Sequence, residues 1–148
     1  VPQHWLIGVQ IYRAFGVIFL ILYATGKLPG LFAWPAGLGD VLVGVLAPVV
    51  AIAYRRGPGE NANLVSVWNL FGLADLVVAV TTGFLTSPSA FQLFAFDLPN
   101  ELISRFPLVL IPVFLVPLSV LLHLASLAKL RRDALRDNNR RESARAPA

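Results

Sequence analysis

VQIYRAFGVIFLILY, residues 9–23, holds a single arginine, Arg13, inside a run that is otherwise nearly all apolar. In a soluble helix such a charge marks the wet face, but this run, nearly all apolar apart from Gln10 and Arg13, has no wet face. The stretch therefore reads as a helix built for lipid, and an arginine at that depth has to face protein or water and find partners.

The rest of the chain has the same character. Of its 148 residues 57% are hydrophobic and 14% charged, and its mean hydropathy is +0.72. A soluble domain carries about a quarter charged residues. Four apolar runs, near residues 5–25, 37–54, 64–85 and 106–130, are each long enough to cross a bilayer, which takes about 17–25 residues. The expected fold is all-α: a polytopic transmembrane four-helix bundle over residues 1–130, followed by a basic tail over 131–148. A soluble bundle would need polar faces at helical spacing, and DVLVGVLAPVVAIAY (40–54) has none.

Orientation follows from lysine and arginine. Arg55 and Arg56 follow the second run, Lys129 lies at the end of the fourth, and Arg131, Arg132, Arg136, Arg140, Arg141 and Arg145 follow it. The two opposite connectors hold only Lys27 and Arg105. By the positive-inside rule both termini are cytoplasmic. The basic tail anchors this topology and also suits anionic lipid, at about 1 kcal/mol per basic residue near the surface. Trp34, Phe91, Phe94 and Phe96, in the opposite connectors, suit the membrane interface.

An internal match points to duplication. YRAFG (12–16) resembles WNLFG (68–72), and LFAW (31–34) resembles LFAF (93–96). Each unit is then a helical hairpin starting on the cytoplasmic side, so the two repeats are parallel. Arg13 in the first unit takes the place of Asn69 in the second.

Depth selects partners for Arg13. One polar layer is expected from Gln10, Arg13, Asn69, Asp75 and His123, with an ion pair between Arg13 and Asp75 supported by Asn69. Two readings of the layer stand side by side. It is packing glue that specifies which helices meet, or it belongs to a path for a solute or proton. Asp40, in PAGLGD (35–40), is expected at the outer start of the second helix, where a carboxylate complements the helix dipole. Pro112 and Pro117 are expected to kink the fourth helix and free the carbonyls of Leu108 and Val113.

His123 has a further candidate role. Ser119, four residues earlier, leaves room beside the imidazole, so an axial bond to haem or chlorophyll is one reading and a hydrogen-bonded packing histidine the other. No other cofactor and no metal site is indicated. The chain has no cysteine, which excludes thiolate zinc sites, iron–sulfur clusters and disulfides. Neither a catalytic constellation nor a nucleic-acid-binding module is present, so an enzyme is not expected and nucleic acid is not an expected partner.

Taken together, QIYRAFG, LPGLFAWPAGLGDVLVG and FLVPLSVLLHLASL resemble a group of small bacterial integral membrane proteins of no known activity. That resemblance implies the bacterial inner membrane and nothing about chemistry. Two functions remain. The first is an accessory or structural subunit of a larger bacterial membrane complex, since there is no soluble domain and many glycines permit close helix contact. The second is a small homodimeric transporter or channel that uses the layer of Arg13, Asp75 and His123.

Overall fold

The structure is a computed structural model that describes residues 1–145. Every regular element among them is helical. Four helices are long and apolar enough to cross a membrane: Gln3–Ala24, Gly30–Arg56, Ala62–Thr86 and Ile111–Ala144. We call the first three α1, α2 and α3. In the fourth, a π turn over Ile111–Leu115 leads into α4, Val116–Arg145. The helices pack in a ring, α1 on α2, α2 on α3, α3 on α4 and α4 back on α1.

Local chemistry explains the helix ends. After Ala24 the chain closes a glycine-capped turn: Gly26 adopts φ 68°, its N–H bonds Tyr23 O at 2.9 Å, and Lys27 N–H bonds Leu22 O at 2.8 Å. These are the two bonds of a Schellman motif, whose left-handed position favours glycine. Pro29 then precedes the first turn of α2. At the other end of α2, the side-chain amide of Asn61 donates to the carbonyls of Ala53 and Gly57 at 3.1 and 2.9 Å, adding a second bond to acceptors that already take the backbone N–H groups of Gly57 and Asn61 and so tying down the turn after the helix.

The middle of α1 departs from α-helical geometry. Val9–Gly16 form a 3₁₀ helix of eight residues, well beyond the usual three or four. The sequence supplies the reason. Ile7, Gln10, Arg13, Gly16 and Phe19 are all buried and spaced by three. At 3.6 residues per turn that stripe would wind around the helix, whereas at 3.0 it stays on one edge. Close approach of α2 holds it there. A Cβ on Gly44 would overlap the backbone of Ala14, so the two helices touch backbone to backbone.

Two apolar clusters form the core. One, at the end of the ring carrying both termini (the basic end), joins Ile7, Val43, Ala47, Val50, Val65 and Trp68. The other, towards the opposite end (the connector end), joins Phe19, Leu28, Phe32, Ala36 and Ile103. Between them lies a polar band. The apolar pattern is inverted relative to a soluble protein: Gln10, Asn69, His123 and Ser126 are fully buried, while Phe15, Val77 and Val113 are 78%, 66% and 69% exposed.

Several expectations change. The second helix starts at Gly30 and not at residue 37, because LFAWPAG is helical. Asp40 is therefore ten positions inside α2, and its expected place at the helix start is wrong. The fourth helix starts at 111 and not at 106. Leu108 O is not released, since it accepts from Ile111 N–H at 2.9 Å. The stretch expected as a separate tail prolongs α4 as helix to Arg145; residues 146–148 lie outside the described part.

Candidate functional site

Arg13 is the hub of the polar band. About 17 Å of rise separates it from Gln3 once the longer step of the 3₁₀ segment is included, which puts it near the middle of α1. Asp40 lies about 15 Å along α2 from the opposite end, so the two meet at the same level. Arg13 Nε donates to Asp40 Oδ1 at 2.7 Å, and Nη2 is 2.7 Å from the same oxygen. Nη2 also bonds Asp75 Oδ2. Nη1 donates to His123 Nε2 at 3.1 Å and, at 3.4 Å, to Gly72 O. The guanidinium thus makes four hydrogen bonds to protein acceptors, with Nη2 also in ion-pair contact with Asp40.

The network fixes the state of His123. Arginine has no acceptor, so Nε2 must be the lone-pair nitrogen. On the other side of the ring, Nδ1 is 2.9 Å from Asn69 Oδ1. The Asn69 amide nitrogen already donates to Val65 O at 2.8 Å and to Ser126 Oγ at 2.9 Å, so Oδ1 accepts and Nδ1 carries the proton. His123 is neutral. From Ser126 the chain of bonds continues to Gln3 Nε2 at 2.7 Å, near the basic end. Both ring nitrogens of His123 are engaged and the residue is fully buried. A Cβ on Gly72 would strike its ring. These residues do not fit a haem or chlorophyll ligated by His123.

Glycines make the cluster sterically feasible. Cβ atoms on Gly16, Gly39 and Gly72 would overlap Asp40, Asp75 and His123 respectively. The apparent repeat reappears here as geometry. Arg13 and Gly16 of α1 both contact Asp40 of the next helix, and Asn69 and Gly72 of α3 both contact His123 of the next helix. LFAW and LFAF do not correspond: residues 31–34 open α2, whereas 93–96 lie in a loop in which Ala95 has φ 58°.

A cavity of about 520 Å³ adjoins the cluster. It runs from the connector end, at Ser87 and Ser104, down to Tyr12, Arg13, Asp40 and Ser119. Its walls are apolar and include Phe15, Phe19, Phe32 and Phe84. The cavity exists because α4 begins late, and the connector over residues 87–110 replaces the fourth helix across that half of the ring. At the floor, Tyr12 Oη is 2.6 Å from Ser119 Oγ, and Ser119 in turn donates to Leu115 O at 2.8 Å.

Of the expected layer, Arg13, Asp75, Asn69 and His123 come together, with Asn69 reaching Arg13 through His123. Gln10 does not join. It lies buried on the same edge of α1, and neither amide atom has a hydrogen-bond partner. Sequence reasoning missed Asp40 as a partner of Arg13, and Tyr12, Ser119, Ser126 and Gln3 as members of the band. The signal available was the three-residue stripe in α1, together with Gly39 directly before Asp40. No group of three or more His, Asp or Glu side chains able to hold a metal ion occurs among the described residues.

No curated protein and no solved structure matches the chain. Residues 1–131, which hold all four helices' apolar stretches and the whole polar band, match the family described as a domain of unknown function, DUF8737, and the chain belongs to that family.

Proposed function

We propose that this protein is an integral membrane protein of the bacterial inner membrane, with both termini cytoplasmic, that binds a lipophilic small molecule in the cavity and serves in its transport. The observation that carries this reading is an apolar pocket of about 520 Å³ ending on a buried charge cluster. Ligand sites have this form: a mostly apolar concavity of about 300–1,000 Å³ with a few convergent polar groups. Membrane residence is supported by the polar interior, the exposed apolar exterior and the crowding of Arg55, Arg56, Lys129, Arg131 and Arg132 at one end.

The pocket is tested by extracting the protein purified in lipid nanodiscs and identifying small molecules by mass spectrometry. A compound that is neither phospholipid nor detergent is expected with the natural chain and is lost in Ala79→Trp, which fills the cavity. Phospholipid alone in both proteins would overturn the reading.

A second reading, an accessory subunit of a larger membrane complex, draws on the connector aromatics Phe91, Phe94 and Phe96, which are 64%, 48% and 69% exposed. The small residues that first motivated it serve internal contacts, as Gly16, Gly39, Gly44 and Gly72 show. Stoichiometric co-purification of larger subunits in mild detergent favours this second reading, and recovery of the chain alone removes it.

A further inference from the structure

We propose that the ligand of this pocket is a lipophilic monocation, held with its charge against the free oxygen of Asp40. This rests on the proposed ligand-binding role and assigns the chemical class it would take.

Charge is the first ground. The cluster sets one guanidinium against two carboxylates, Asp40 and Asp75, and the neutral state of His123 adds nothing. One negative charge is left over. An uncompensated charge in an apolar interior is strongly unfavourable, so the cluster takes up either a proton on one carboxyl or a further cation, and a bound cation replaces that proton.

Geometry decides where that cation sits. Asp40 Oδ1 receives both contacts from Arg13, and Oδ2 has no hydrogen-bond partner among the described residues. The side chains of Arg13 and Asp75 are 2% and 6% exposed, against 17% for Asp40, and Asp40 lines the cavity. Beside it, Ser119 gives its proton to Leu115 O, so Tyr12 must donate to Ser119. The phenol oxygen then has only lone pairs to offer.

The floor is therefore a set of acceptors. An anion would meet the free carboxylate oxygen of Asp40 and the phenol lone pairs of Tyr12, while the Arg13 side chain is 2% exposed and bonded to Asp40, Asp75, His123 and Gly72. An inorganic cation would need a shell of several oxygens, which this floor lacks. An organic cation does not: its apolar body packs against the apolar lining, which includes Phe15, Phe19, Phe32 and Phe84.

Equilibrium binding to the protein in nanodiscs, corrected with empty nanodiscs, uses three probes: tetraphenylphosphonium, tetraphenylborate of the same shape and opposite charge, and neutral triphenylmethane. Saturable binding of tetraphenylphosphonium is expected, at least tenfold tighter than tetraphenylborate. Asp40→Asn should weaken it at least tenfold, and Tyr12→Phe several-fold. Equal or tighter binding of tetraphenylborate or triphenylmethane overturns the cation assignment and leaves the pocket standing. If none of the three binds saturably, the ligand-binding role falls with it. Unchanged tetraphenylphosphonium affinity in Asp40→Asn removes Asp40 as the anchor. If that variant does not fold, Tyr12→Phe and the probe comparison on the natural chain still decide the proposal.

Discussion

Gly39 of α2 lies directly against the carboxylate of Asp75 on α3, so closely that a Cβ on Gly39 would overlap the Asp75 oxygens. The contact brings the helix that carries Asp40 near enough for Arg13 to bridge both acids. Gly39→Ala is expected to displace Asp75 and destabilise the fold by about 3–5 kcal/mol, the range for breaking a buried ion pair. Gly59, with nothing within 4 Å of its Cβ position, is the control, and Gly59→Ala should stay within about 0.5 kcal/mol. Unfolding in detergent measures both, and equal stability of the two variants would remove the steric role of Gly39.

Arg13 neutralises two acids, so its removal should act through them. Arg13→Met leaves both carboxylates buried without a counter-charge and is expected to destabilise by about 3–5 kcal/mol. Adding Asp40→Asn and Asp75→Asn to Arg13→Met should recover most of that loss, because no ion then remains unpaired. A triple variant no more stable than Arg13→Met would show that the band is held by something other than charge balance.

His123 and Asn69 form the second polar pair across neighbouring helices, 2.9 Å apart. A double-mutant cycle with His123→Leu and Asn69→Leu should give a coupling energy of about 0.5–3 kcal/mol, as expected for buried partners in one network. Strict additivity of the two single changes would break the proposed line of bonds between Arg13 and Ser126.

The proposed orientation has a direct check, because the chain contains no cysteine. A single cysteine at Ser89 should react with a membrane-impermeant maleimide added outside intact spheroplasts. One at Gly59 should react only after the membrane is opened. The reverse pattern would invert the topology.

Local pattern alone was enough for the all-helical fold, the four long apolar helices and the burial of Arg13. Each rests on composition, run length and the unfavourable energy of a charge in an apolar helix, and none needs a partner to be known. The pairing of Arg13 with Asp75 was legible too, since a buried arginine calls for an acid and the remaining acids lie mostly in connectors and the tail. Asp40 was misplaced because the helix boundary was misjudged. The proline and glycines of GLFAWPAGLG look like a loop, and only packing of Phe32, Ala33 and Ala36 against Phe19 and Ile103 makes them helix.

What the tertiary structure alone decided lies further out. The 3₁₀ segment of α1 is stabilised by backbone contact at Gly44, so the level at which Arg13 meets Asp40 depends on a neighbouring helix. Neutrality of His123 follows from Arg13, Asn69 and Ser126 on three different helices. The cavity arises from the absence of a fourth helix over half the ring. In each case the property belongs to a contact between segments distant in the chain, and no local pattern of residues contains it.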